Sequence, residues 1–202
     1  MNKYLILLLS KLLILVLCNC SPTKPLPKNI DSLLVSVQEQ KIHVVKDENV
    51  VKSYPISTSK YGLGNKVGSN KTPLGKHKVV EKIGEGLELG AVLKARKPTG
   101  EVIPQDEKTP ATKITTRIIR IKGEESKNSN TYKRNVYIHG TTRESDLGKP
   151  ASIGCVRMAD EDIVEIFPKV DQNTKINIIE EKVTKNLLAS NKNSKNNKAT
   201  IQ

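Results

Sequence analysis

Residues 137–158 read YIHGTTRESDLGKPASIGCVRM, and the fold and chemistry of this chain turn on them. The stretch opens on a β-type run that ends at His139. A polar loop follows, and it closes on Ser152-Ile153-Gly154-Cys155-Val156-Arg157. A thiol is a good nucleophile only as thiolate, and its free pKa is about 8.5. A neighbouring imidazole can take the proton. A His on a strand and a Cys on the following loop meet when adjacent strands carry them. Gly154 lets the backbone turn tightly and approach a substrate closely. Amides beside Cys155 can then serve a tetrahedral intermediate. Arg157 adds a fixed charge that lowers the thiol's pKa, holds a carboxylate or braces the loop. The bland readings stay open at this point: a lone Cys fills cores, and a lone His is more often structural.

Working outward, the flanking sequence is that of a β-protein. Residues 32–38 and 41–45 alternate apolar and polar side chains, the period of a half-buried strand. Asp47-Glu48-Asn49 makes a turn and residues 50–56 a second strand, so the spacing predicts a hairpin. Further strands are expected at 75–83, 115–122, 135–139 and 175–179. Residues 84–112 carry glycines, three prolines and mixed charge, and read as a long loop with at most short strands. One helix is predicted after the cysteine, capped by Asp160, with Ile163, Val164, Ile166 and Phe167 as its apolar face and Pro168 and the residues after it ending it. His43, alternating within its strand, is expected to face solvent, and His77 is given no clear part in a site. No Cys/His set has zinc spacing, and no phosphate loop or dinucleotide motif appears.

The N-terminus bears on compartment. Lys3 precedes two leucine-rich runs broken by Ser10-Lys11, the pattern of a secretory signal over residues 1–19. The run is too short and too interrupted for a membrane span of ~20 residues. Leu17-Cys18-Asn19-Cys20-Ser21 resembles a bacterial lipobox, with Cys20 as the lipidated residue. Residues 20–31 then form a Pro- and Lys-rich spacer off the membrane. With Cys20 consumed by lipid, Cys155 has no disulfide partner, and an unpaired thiol in an oxidising compartment suggests a reactive role. Residues 182–202 are Lys- and Asn-rich, hold no acid, and are expected to be a disordered basic tail.

The formal charge of the 202-residue chain is +13. It reflects either free use of Lys, Asn and Ile or attraction to a polyanion. Nucleic acid is a poor candidate: aromatic residues make up 3% of the chain, too few for base stacking, and no nucleic-acid-binding motif is present. An anionic wall polymer or a membrane surface fits better.

The segment His139-Gly140-Thr141, followed by Ser152-Ile153-Gly154-Cys155-Val156-Arg157-Met158, resembles the signature of the L,D-transpeptidase catalytic domain (YkuD) family. Gly148 matches a glycine common in that family's loop. Thr72-Pro73-Leu74-Gly75 and the hairpin over 42–55 resemble its upstream part. Two departures stand out: Ile153 occupies a place where many members have His, and residues 84–130 match least.

The resemblance implies a mainly β, sandwich-like domain over 32–181 with one or two short helices. It implies that Cys155 is the nucleophile and His139 the general base and then acid. Ser152 would orient His139 by side chain or carbonyl, and Gly154 would supply an oxyanion amide together with Cys155. Arg157, Gly140 and Tyr137 would line the substrate. The implied reaction acylates Cys155 with a peptidoglycan stem tetrapeptide, releases D-Ala, and passes the acyl group to an amine on a second stem or on a wall-attached protein. No metal or cofactor is implied, and the protein would be exported to the cell envelope or periplasm as a membrane-anchored lipoprotein. Two rivals remain. One passes the same thioester to water, as an L,D-carboxypeptidase or wall amidase. The other is a non-catalytic, lipid-anchored wall-binding protein.

Overall fold

A computed structural model describes residues 25–104, 112–184 and 188. The predicted signal peptide, the lipidation site at Cys20 and most of the basic tail lie outside these residues. The elements are β1 (Ser32–Ser36), β2 (Lys41–Lys46), β3 (Asn49–Ser57), β4 (Gly75–Ile83), β5 (Ala91–Lys94), β6 (Lys97–Val102), β7 (Ile114–Gly123), β8 (Tyr137–Thr141), β9 (Val156–Met158), α1 (Asp160–Ile166) and β10 (Lys175–Ile179). The mainly β reading with one short helix holds.

Ten strands form one sheet in the order β4-β10-β1-β2-β3-β9-β8-β7-β5-β6, and β7 pairs back onto β4. The sheet is thereby folded over on itself and closed. β7 makes this possible because its ten residues serve two partners along one edge. Ile114 and Thr115 pair with β5, while Ile118 to Gly123 pair with β4. β1–β10 and β8–β9 are parallel; the other pairs are antiparallel. The β2–β3 hairpin falls where the turn signal predicts, with Asp47 and Glu48 both left-handed (φ 48° and 63°), as a tight two-residue hairpin requires.

Alternation decides what each strand buries. Leu33 and Val35, Ile119 and Ile121, Ile138, and Val156 and Met158 all enter one interior cluster. Ile163, Ile166 and Phe167 join it, so α1 fills the inside of the folded sheet against β7 and β8. At ~25 cal/mol per Å² of apolar surface, this shared burial is the main stabilising term of the domain.

Several expectations are corrected by packing. The spacer does not extend to residue 31: Leu26 is in the core, Ile30 packs on it, and the Asp31 amide donates to the Val45 carbonyl. The tail does not begin cleanly at residue 182. Val183 and Leu188 cover Leu34, Val45 and Ile179 on the outer face, and the Val183 amide donates to Glu39 at 2.7 Å. Asp160 does not cap α1. Ala159 is the N-cap, and the Asp160 amide is met by Glu144 Oε1 at 3.0 Å. His43 is buried, with Nδ1 2.8 Å from the Ser53 hydroxyl. The stretch from 84 holds a full hairpin, β5–β6, beyond the short strands expected there.

Candidate active site

The parallel register of β8 and β9 aligns Ile138 with Val156 and His139 with Arg157. Ile138 and Val156 point into the core. Alternation then turns Tyr137, His139, Cys155 and Arg157 to the opposite face. On that face Tyr137 and Ile118 cluster with Leu93 of β5, and Cys155, Leu87 and Ile83 pack against them. The β5–β6 hairpin therefore roofs the apolar side of the cysteine. Its tip is latched by Arg96, which donates to the Tyr137 hydroxyl at 3.2 Å.

Cys155 is a partly buried free thiol. The Tyr137 amide donates to Sγ at 3.4 Å, and Sγ donates to the Asn135 carbonyl at 3.5 Å. Burial pushes the thiol's pKa up, opposed by the Tyr137 N–H and by the Arg157 and Arg134 charges. His139 is buried, and its Nδ1 lies 2.7 Å from the Gly140 carbonyl. That acceptor puts the ring proton on Nδ1 and leaves Nε2 as the basic nitrogen. Burial, reinforced by Arg157, pushes the His139 pKa down to about 4, while the Gly140 carbonyl pulls the other way. Burial thus works against the charged form of both groups, the thiolate as well as the imidazolium.

Ser152 differs from its expected role. Its hydroxyl donates to the Cys155 carbonyl at 2.6 Å and accepts the Gly154 amide at 3.2 Å. Its carbonyl accepts the Lys60 amide at 3.0 Å, so Ser152 braces the cysteine turn and His139 is held by Gly140 instead. Gly154 does need to be glycine-like in backbone, with φ +125°, but its amide is engaged by Ser152 and is not free for an oxyanion.

Gly140 has a packing reason to be glycine. It is buried, and a Cβ there would stand 2.1 Å from Asp160 Oδ1 and 2.6 Å from the Thr115 carbonyl. Glycine follows His139 because α1 starts directly beneath it. Tyr137 is buried beside the thiol, and its hydroxyl donates to Asn135 Oδ1 at 2.8 Å. Arg157 is buried as well. It reaches the Ala151 carbonyl at 3.4 Å and Asp146 at 4.0 Å, the bracing geometry for the loop before Ser152. Arg143 and Lys149 face the same Asp146 carboxylate.

Four further residues at the site escape a reading by spacing. Thr72 accepts the Ser59 amide and donates to the Gly154 carbonyl, both at 3.0 Å, tying the loop after β3 to the cysteine turn. Arg134, Asn135 and Arg96 come from a turn and a hairpin tip. Left-handed φ at Asn135 (54°), Ala95 (49°) and Arg96 (68°) shapes both places, and only Asn is a common residue for it. His77 lies elsewhere, with its two nitrogens 2.8 Å from the Gly75 carbonyl and 3.1 Å from the Thr131 hydroxyl, and it is structural. Among the described residues no group of three His, Cys, Asp or Glu side chains is placed to hold a metal.

The family model of the L,D-transpeptidase catalytic domain matches residues 31–178. A 42-residue stretch is 43% identical to the probable L,D-transpeptidase YcfS of Escherichia coli K12, covering 21% of this chain and 13% of that protein. An L,D-transpeptidase from Mycobacterium smegmatis shares 18% identity over 73% of this chain and 57% of its own, with a TM-score of 0.48. One from Xylanimonas cellulosilytica shares 15% over 77% and 64%, also at 0.48. The chain thus spans less than two thirds of each of these relatives. With a family match running from before β1 into β10, the chain belongs to the L,D-transpeptidase catalytic domain family.

Proposed function

We propose that this protein is an L,D-transpeptidase of the cell wall that works through a Cys155 thioester. The observation that carries the reading is the β8–β9 register, which brings the strand-borne His139 and the Cys155 turn to one face, beneath an apolar roof. His139 Nε2 takes the thiol proton as Cys155 Sγ attacks the carbonyl between the third and fourth residues of a stem tetrapeptide. The peptide C–N bond breaks, and the imidazolium returns the proton to the departing D-Ala amine. An amine on a second stem or on a wall-attached protein then attacks the thioester and His139 takes that amine's proton; the C–S bond breaks as the new amide forms, and the proton returns from His139 to the Cys155 thiolate. With the Gly154 amide engaged by Ser152, the Cys155 amide is the remaining donor of the pair for the oxyanion.

Burial that disfavours both thiolate and imidazolium supports a thiolate formed during attack. The intact His139 and Cys155 favour an enzyme over a wall-binding protein. Export, lipidation of Cys20 and residence in the cell envelope remain part of this proposal.

The test is intact-protein mass after exposure to a tetrapeptide donor or a carbapenem, followed by product analysis with purified sacculi. A stable adduct on the wild type that is lost in Cys155→Ala is expected, with Cys155→Ser nearly as poor. New cross-links identify an amine acceptor; tripeptide stems alone identify water. Full activity in Cys155→Ala would remove the reading.

A further inference from the structure

A guanidinium without an acid to balance it stands close to the cysteine. Arg134, in the turn before β8, is half-buried. It donates from Nη1 to the Gly64 carbonyl at 3.0 Å and from Nη2 to the Lys71 carbonyl at 2.5 Å. Carbonyls fix a guanidinium without neutralising it. Among the described residues no carboxylate forms an ion pair with Arg134.

Its anchors also locate it. The Lys71 carbonyl lies 3.5 Å from where a Cβ on Gly154 would stand, and the Thr72 hydroxyl donates to the Gly154 carbonyl at 3.0 Å. On the other side, the next residue along the chain, Asn135, accepts from Cys155 Sγ. The guanidinium is therefore bracketed by the two backbone segments that flank the nucleophile. Arg157, the other guanidinium of the site, shares Asp146 with Arg143 and Lys149.

We propose that Arg134 is a positioning residue of the acyl-transfer site: held by the Gly64 and Lys71 carbonyls, it supplies an uncompensated positive charge at Cys155 that favours the sulfur anion and anionic reactants. The inference rests on Cys155 being the nucleophile. A residue needed only to tie the loop would act through its N–H donors, which an uncharged amide also provides. A residue needed for its charge is replaced by Lys but not by Gln.

The experiment measures alkylation of Cys155 in the full chain by iodoacetamide, which is neutral, and by iodoacetate, which is an anion. Peptide mass assigns the label to Cys155, and rates are taken across pH for wild type, Arg134→Lys and Arg134→Gln. The ratio of the two rates cancels changes in access and reads local charge. In Arg134→Gln the iodoacetate-to-iodoacetamide ratio is expected to fall roughly three- to ten-fold, the size Coulomb's law gives for one nearby charge in a solvated site. The thiol's ionisation should move to higher pH in the same variant. Arg134→Lys should stay within about two-fold of wild type by the same argument. An unchanged ratio in Arg134→Gln, or an equal fall in both variants, would overturn the proposal. A wild-type Cys155 inert to both reagents would overturn the nucleophile reading itself.

Discussion

The Ser152 hydroxyl donates to the Cys155 carbonyl at 2.6 Å while accepting the Gly154 amide at 3.2 Å, closing a four-residue turn around one side chain. Ser152 is fully buried, and its bond with the Gly154 amide is buried as well, so that amide loses its partner if the hydroxyl is removed. Leaving buried groups unpaired costs about 1–3 kcal/mol. Ser152→Ala is expected to lower the unfolding free energy read from urea melts by that amount and to slow Cys155 acylation about ten-fold or more, the size of a misplaced reacting group. Acylation at the wild-type rate would show that the turn holds its shape without this bond.

Buried histidines, His139, His77 and His43, make stability depend on acid. His139 and His77 are both pushed from 6.5 down to about 4 by burial. Between those values the unfolded chain binds more protons than the folded one, so stability rises with pH across that window. It is complete above the unfolded value and is lost as pH falls from about 6.5 toward 4, by up to roughly 3 kcal/mol per histidine. Urea melts at several pH values are expected to show this slope. His77→Gln should reduce it in part, since His139 and His43, whose pKa burial also lowers, still contribute, without altering Cys155 labelling. An identical slope in that variant would exclude His77 as its source.

Gly140→Ala places a methyl 2.1 Å from Asp160 Oδ1, an oxygen that also accepts the Thr115 hydroxyl at 2.7 Å. The other obstacle is backbone, the Thr115 carbonyl at 2.6 Å, which cannot swing away. A cost of about 2–4 kcal/mol is expected, in the range of overpacking with loss of a buried hydrogen bond. His139 sits on the same strand, so acylation should fall along with the melting temperature. A melting temperature equal to wild type would mean β8 and α1 separate readily.

Truncation separates the packed part of the C-terminal segment from the rest. Ending the chain after Lys182 removes Val183 and Leu188 and uncovers Leu34, Val45 and Ile179. A loss of about 1–3 kcal/mol is expected from the exposed apolar surface. Ending it after Ala189 keeps these contacts and should leave the melting temperature within about a degree, because small surface changes stay within ±0.5 kcal/mol. Equal melting temperatures for the two truncations would show that the outer cover contributes nothing.

The hairpin of β2 and β3 was legible because Asp47-Glu48-Asn49 interrupts two alternating runs. The β5–β6 hairpin was not, because its tip is Ala95-Arg96, residues that carry no turn signal, and β6 is exposed along its whole length. An exposed strand has no buried face to impose a period of two. Asp160 misled for a related reason. As an acid at a helix start it reads as a cap, yet the contact with Thr115 that claims its side chain is 45 residues away in sequence.

The sequence by itself determined the chemistry-bearing set: a His at the end of a strand, a Cys after Ser-Ile-Gly, and a family signature that names their type. These are local facts of residue kind and spacing. Only the tertiary structure decided how the set is held. It turned Ser152 toward Cys155 and not His139, spent the Gly154 amide, buried Gly140 over α1 and brought Arg134 across to the cysteine turn. A hydrogen bond commits a group to one partner, and a closed sheet chooses that partner from strands far apart in the chain, where spacing along the sequence carries no information about distance.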